Sequence, residues 1–297
     1  MLPSATEILF ALELGDSVVA VTDECDFPLE ARHLPVVSRC VLAERSLTPS
    51  EIDETVAEAE LAGRSLYEID AETLGRLRPD VILTQDLCPV CALPAHQAAD
   101  ALDRAGCGAQ VISLDPHSID DVLVSIAEVG AGLGATDRAG ELVASLRSRV
   151  EAIRARAQDL EPVTVLALEW GDPPWGAGHW VPEMIELAGG TPLLGERGAN
   201  SRRLDWLQIA EAAPEVVVFM PCSFGLDDAV DQGHSLFDHA EFAQTPAARN
   251  GRVFATDAQS YFSRSGPRLV DGLEILAGIV HPEVFPAPPS SAASRLG

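Results

Sequence analysis

Short apolar runs rich in valine and isoleucine, each stopping at polar loop residues, recur along this chain with helical patterns between them. They occupy 18–22, 80–84, 110–114, 163–168, 215–220 and 252–256. Such runs read as buried strands, and their alternation with helices predicts βα units packed on a mainly parallel sheet. In open parallel sheets the loops beyond the carboxyl ends of the strands gather at one edge and form the ligand crevice. Function is therefore expected in the loops. Arg78-Pro79-Asp80 and Ala213-Pro214-Glu215 introduce two of the strands in the same way, which suggests two halves of comparable construction rather than a tandem repeat. At the start, Ser4 and Glu7 have the spacing of a capping box, in which the serine caps a helix and the glutamate reaches back to the serine amide.

Between the halves lies a different segment. From 135 to 160 there is no proline, and Leu142, Leu146, Val150 and Ile153 recur at helical spacing among arginines and acids. A helix of that length spans roughly 35–40 Å, and its narrow apolar stripe suits a helix lying across two bodies. The expected organisation is an N-terminal α/β lobe over 1–134, a linker helix over 135–160 and a C-terminal α/β lobe over 161–285. The stretch 286–297, rich in Pro, Ser and Ala, reads as a disordered tail.

Composition narrows the function. The formal charge of −26 repels nucleic acid and anionic membranes, so neither is an expected partner. No window is apolar for long enough to span a bilayer, which predicts no membrane insertion. All 20 basic residues are arginine, and without lysine there is no Schiff-base chemistry and no P-loop lysine. The first residues lack the basic start, apolar stretch and cleavage site of a secretory leader. The chain as written is expected to be cytoplasmic, and extracytoplasmic only if an upstream signal is missing.

The motifs Leu2-Pro3-Ser4-Ala5-Thr6-Glu7, Asp26-Phe27-Pro28, Leu77-Arg78-Pro79-Asp80-Val81-Ile82 and Asp115-Pro116-His117-Ser118 come in a telling order. In the second half they are followed by Asp172-Pro173-Pro174-Trp175, Glu186-Leu187-Ala188-Gly189-Gly190 and Ser265-Gly266-Pro267-Arg268. Together they resemble the class III substrate-binding proteins of ABC importers, most closely the vitamin B12-binding group. The resemblance covers nearly the whole chain. It implies two Rossmann-like α/β lobes joined by a single long helix, with a ligand held between them and little hinge motion. It also implies docking on an ABC permease through a carboxylate from each lobe. Glu72 matches the first such position, whereas ungapped matching puts the apolar Leu207 at the second.

The loops supply the candidate residues. On the first half these are Pro3, Ser4, Glu24, Gln85, Asp86 and His117. On the second half, Trp170, Trp175 and Trp180, three of the four tryptophans, fall in one loop region together with His179. Tyr261, Phe262 and Arg264 follow the run at 252–256. Tryptophan buries the most area and stacks on large or flat ligands, and a neutral imidazole such as that of His179 can ligate a metal, including the lower face of a corrinoid. Arg202, Arg203, Arg264 and Arg268 suit bidentate contacts to carboxylates, carboxamides or phosphate. Cys25, Cys40, Cys88 and Cys91 lie in first-half loops. Four convergent thiolates would suit zinc or an iron–sulfur cluster, and the Cys88–Cys91 pair alone also fits thiol–disulfide exchange. No nucleophile–base arrangement is evident.

Two function classes follow. The first is a non-catalytic protein that binds a bulky small molecule, cobalamin or another corrinoid, in an inter-lobe cleft and serves in transport. The alternative is a cytoplasmic metal- or metallocofactor-binding protein with a cysteine-rich cleft and redox activity open to it.

Overall fold

A computed structural model describes residues 1–42, 47–62, 64–85 and 95–297. The chain divides into two compact units. The first comprises Met1–Pro116 and Val124–Val143, and the second His117–Leu123 and Ala144–Gly297. The expected mid-chain helix is present at Thr136–Ala157, and the division between the units falls inside it. Its buried residues Ala139, Leu146, Val150, Ile153 and Ala157 follow the three-and-four spacing of an apolar stripe. Within the second unit, Arg149 of this helix is held by Glu274 at 2.8 Å and by Asp271, both on the helix Leu269–Val280.

The first unit carries β1 (Val21–Thr22), β2 (Val36–Cys40) and β3 (Tyr67–Ile69) in one sheet, and β4 (Val81–Thr84) with β5 (Gln110–Ser113) in another. β1 runs parallel to β2, β3 antiparallel to β2, and β4 parallel to β5. Leu74, Ile82, Ala98, Ala101 and Leu102 form the buried cluster that seats its helices.

In the second unit, β6 (Val163–Gly171), β10 (Val216–Phe219) and β11 (Val253–Thr256) are parallel neighbours, and β8 (Gly190–Pro192) lies parallel to β6. β10 is buried along its whole length, as the continuous apolar run 215–220 predicts for a strand covered on both faces. Two antiparallel strands, β7 (Pro174–Gly176) and β9 (Arg202–Arg203), extend the sheet beyond β6.

Three local expectations are corrected. The first helix starts at Pro3 with Leu2 as its N-cap and no side-chain cap; proline is favoured in this first turn, which places Ser4 inside the helix, and Ser4 and Glu7 are both buried. Cys40 ends a strand rather than lying in a loop. The stretch 286–297 is not a disordered tail. It forms β12 (Ala293–Leu296), antiparallel to β11, with Leu296 buried and Arg295 donating to the carbonyl of Asn250 at 3.0 Å.

Candidate functional site

The carboxyl end of β6 runs on into the hairpin with β7, and its register fixes what stands there. Trp170 pairs with Trp175, and Trp175 pairs with Arg203 of β9. Directly opposed residues on neighbouring strands project from the same face, so Trp170, Trp175 and Arg203 form one row across three strands. Phe224, in the loop after β10, extends the row on the other side, its ring centre 5.5 Å from that of Trp170. Both tryptophans and Phe224 are half-buried and Arg203 is exposed. The row is a strip of aromatic surface ending in a cation. At the bulge before Trp170, the Glu169 carboxylate accepts hydrogen bonds from the Ser201 hydroxyl and the Gly178 N–H, while burial pushes its pKa up.

A second set of side chains is held by cross-bracing between loops. The His179 N–H donates to the Ala199 carbonyl at 2.6 Å, and the Gly198 N–H donates to the His179 carbonyl at 2.8 Å. His179 is in the left-handed region at φ 52, which is uncommon for a non-glycine residue. The fit is tight at Gly178, where a Cβ would come within 2.4 Å of the Ser201 nitrogen and 2.5 Å of the Ala199 oxygen. Nothing larger than glycine fits there. The turn bearing His117 joins this frame. His117 Nδ1 donates to the Gly198 carbonyl at 3.2 Å, and the His117 N–H donates to Asp121 Oδ2 at 3.0 Å. The Ile119 N–H donates to Oε2 of the buried Glu183 at 2.8 Å, and Arg197 forms an ion pair with that same carboxylate. The two imidazole centres are 6.4 Å apart. Burial, and then the charge of His117, lower the pKa of His179.

Trp180 and Phe262 are buried, and the Trp180 indole donates to the Phe262 carbonyl at 2.9 Å. Their rings belong to the interior, not to an open ligand surface. Arg264 is also buried. Tyr261 is half-buried at the end of a turn capped by Asp257, and the Arg268 guanidinium lies 5.9 Å from its ring centre. Burial and the charge of Asp257 raise the Tyr261 pKa.

In the first unit, Pro3 and Ser4 lie in a buried helical turn, Gln85 is buried and Glu24 half-buried. Cys25 is buried with its sulfur 3.1 Å from Thr6 Oγ1, and the Cys40 N–H donates to Asp23 Oδ2 at 3.3 Å. Asp86, Cys88 and Cys91 lie outside the described residues. Among the described residues no group of three or more His, Cys, Asp or Glu is placed to hold a metal. The described part of the cysteine set therefore gives no support to a zinc or iron–sulfur centre.

The family model described as periplasmic binding protein matches residues 2–260. The chain belongs to the periplasmic binding protein family. An uncharacterized ABC transporter substrate-binding lipoprotein, YvrC of Bacillus subtilis, is 26% identical over 293 residues, covering 96% of this chain and 80% of the relative. The vitamin B12-binding protein of Vibrio cholerae is 24% identical over 277 residues, covering 92% of this chain and 84% of the relative. Among solved structures, the apo form of the periplasmic heme-binding protein RhuT from Roseiflexus sp. RS-1 superposes with a TM-score of 0.70 at 25% identity, covering 95% of this chain and 97% of that one.

As a member of this family, the chain has the class III fold and is a non-catalytic substrate-binding protein of the ABC-importer type. The family implies a small-molecule ligand and docking on an ABC permease. Membership overturns the cytoplasmic assignment, because periplasmic binding proteins and their lipoprotein relatives act outside the cytoplasm. That assignment rested on the first residues of the sequence alone, which say nothing about an upstream signal. The alternative of a cytoplasmic metallocofactor carrier finds no support among the relatives. No helix among the described residues is long and apolar enough to cross a membrane.

Sequence reasoning missed Phe224, Ser201, Glu183 and Arg197. Glu183 carried the one legible signal, an acid in the middle of the apolar segment Val181–Ile185, where a buried carboxylate needs partners.

Proposed function

We propose that this protein captures a large flat tetrapyrrole-type ligand for import, with a corrinoid as the leading candidate. The observation that carries the reading is the row Phe224–Trp170–Trp175–Arg203 on one face of the second-unit sheet. Stacking on successive aromatic faces suits a broad ring system better than a small polar solute. The relative that binds vitamin B12 supports the corrinoid assignment. We assign Tyr261 to the margin of the same surface, and we assign permease docking in the first unit to Glu72, which is exposed in the first turn of the helix Ala71–Leu77.

Arg203 favours a second reading, a porphyrin with acidic side chains, because a guanidinium at the end of the row pairs with carboxylate more strongly than with amide. The solved heme-binding structure supports this arm. Tryptophan fluorescence decides between them. Saturable quenching by cyanocobalamin that hemin does not displace supports the corrinoid. Tighter quenching by hemin, weakened in Arg203→Ala, supports the porphyrin, and no quenching by either overturns the proposal.

A further inference from the structure

Nδ1 of His179 is buried and has no hydrogen-bond partner. Leaving a buried polar atom unpaired is destabilising, and such an atom in a native fold calls for an explanation, a bound ion among them. The backbone of His179 is also kept in the left-handed region, at φ 52, by the hydrogen bonds of its own N–H and carbonyl to Ala199 and Gly198. Non-glycine residues held this way concentrate at binding sites.

The second imidazole is prepared from the other side. A carbonyl oxygen only accepts, so the 3.2 Å contact of His117 Nδ1 with Gly198 puts the proton on Nδ1 and leaves the lone pair of the neutral ring on Nε2. A histidine whose far nitrogen donates to a backbone carbonyl has the usual support of a metal ligand. Gly198 thus ties the two residues together, since its N–H holds the His179 backbone carbonyl and its carbonyl holds the His117 ring. Glu183 anchors the His117 turn through the Ile119 N–H and is itself paired with Arg197.

We propose that His117 and His179 form a two-imidazole site for a divalent first-row transition-metal cation. Metal–nitrogen bonds of about 2.0–2.1 Å put a shared ion roughly 3.2 Å from each ring centre, so centres 6.4 Å apart lie at the outer reach of one ion. Among the described residues no third histidine, cysteine or carboxylate joins them, so the remaining positions are open to water or to a donor atom from outside the protein. Imidazole selects copper, nickel or zinc over magnesium or calcium. The site goes beyond the tetrapyrrole reading. His179 Nδ1 is shielded from solvent, so the face of a macrocycle does not reach it.

The test uses the full chain without an affinity tag, titrated with copper(II) and followed by calorimetry and electron paramagnetic resonance. One saturable site whose spectrum shows two nitrogen ligands is expected. His117→Ala should weaken binding at least tenfold, and His239→Ala should leave it unchanged. Because His179→Ala is free to misfold at a left-handed position, His179→Asn serves as the second variant. Asparagine tolerates that conformation and removes the imidazole, so it should also cost at least tenfold. Absence of saturable binding, or binding untouched by both His117→Ala and His179→Asn, overturns the site. Cyanocobalamin and hemin quenching, measured on the same variants, reports the tetrapyrrole reading separately. Retained quenching with lost copper binding confirms that the two are distinct.

Discussion

The helix Ala71–Leu77 of the first unit and the helix Trp206–Ala212 of the second are built to one plan. Each is capped by an aspartate whose side chain accepts the N–H three residues on, Asp70 from Thr73 at 2.9 Å and Asp205 from Gln208 at 2.8 Å. Each ends on a left-handed residue, Arg78 and Ala213, both at φ 48. Each then passes through proline and an acid into a strand, β4 or β10. The two part company where physics leaves the residue free. Two positions after the cap stand the exposed carboxylate of Glu72 and the 65% exposed Leu207. Ends and caps are set by the backbone's need for partners, whereas a surface position is set by what meets it. At this helix the two halves share their caps and ends and differ at the exposed position between them.

Glycine substitutions should separate the loops of the two units most strongly. Gly178→Ala drives a methyl into the backbone of 199–201 and should cost about 3 kcal/mol or more, read by urea denaturation. Gly108→Ala in the first unit meets nothing within 4 Å and should stay within about 0.5 kcal/mol of wild type.

Next come the caps. Asp70→Ala and Asp205→Ala should each lose about 1 kcal/mol. The Asp205 loss should be the greater, because Gln208 completes a capping box there by accepting the Asp205 N–H at 3.3 Å.

A pH dependence separates the half-buried Glu169 of the second unit from ordinary surface acids. Glu169 is raised above its usual 4.5 by burial. Below that value it is neutral in both folded and unfolded chains. As pH rises from there towards the raised folded value, the unfolded chain ionises first and stability falls. Glu169→Gln should remove that decline, which appears in the difference between the two curves of unfolding free energy against pH.

Leu207→Glu should change stability least, by under about 0.5 kcal/mol. It sharpens the comparison by restoring the carboxylate that the first unit has at this offset. A change of several kcal/mol would show that Leu207 is packed rather than presented.

Much of the fold was legible because the strands at 163–168, 215–220 and 252–256 are short, mostly apolar runs. β12 was not, since Ala293, Ser294 and Arg295 carry no apolar pattern and only pairing with β11 makes them a strand. The aromatic cluster was legible as composition, but its division was not. Register puts Trp170 and Trp175 in one row, while Trp180 turns inward to the Phe262 carbonyl. The bracing by Glu183, Arg197, Gly198 and Ser201 joins residues far apart in sequence, and no local spacing announces it.

On the proposed function, the aromatic row of the second unit holds the ligand. Calorimetric titration of cyanocobalamin, with hemin in parallel, into wild type and into Trp170→Leu/Trp175→Leu tests it most directly. Saturable one-to-one binding in wild type, weakened at least a hundredfold in a double variant that keeps its melting temperature, is the predicted result. Equal affinity in both proteins would contradict the claim.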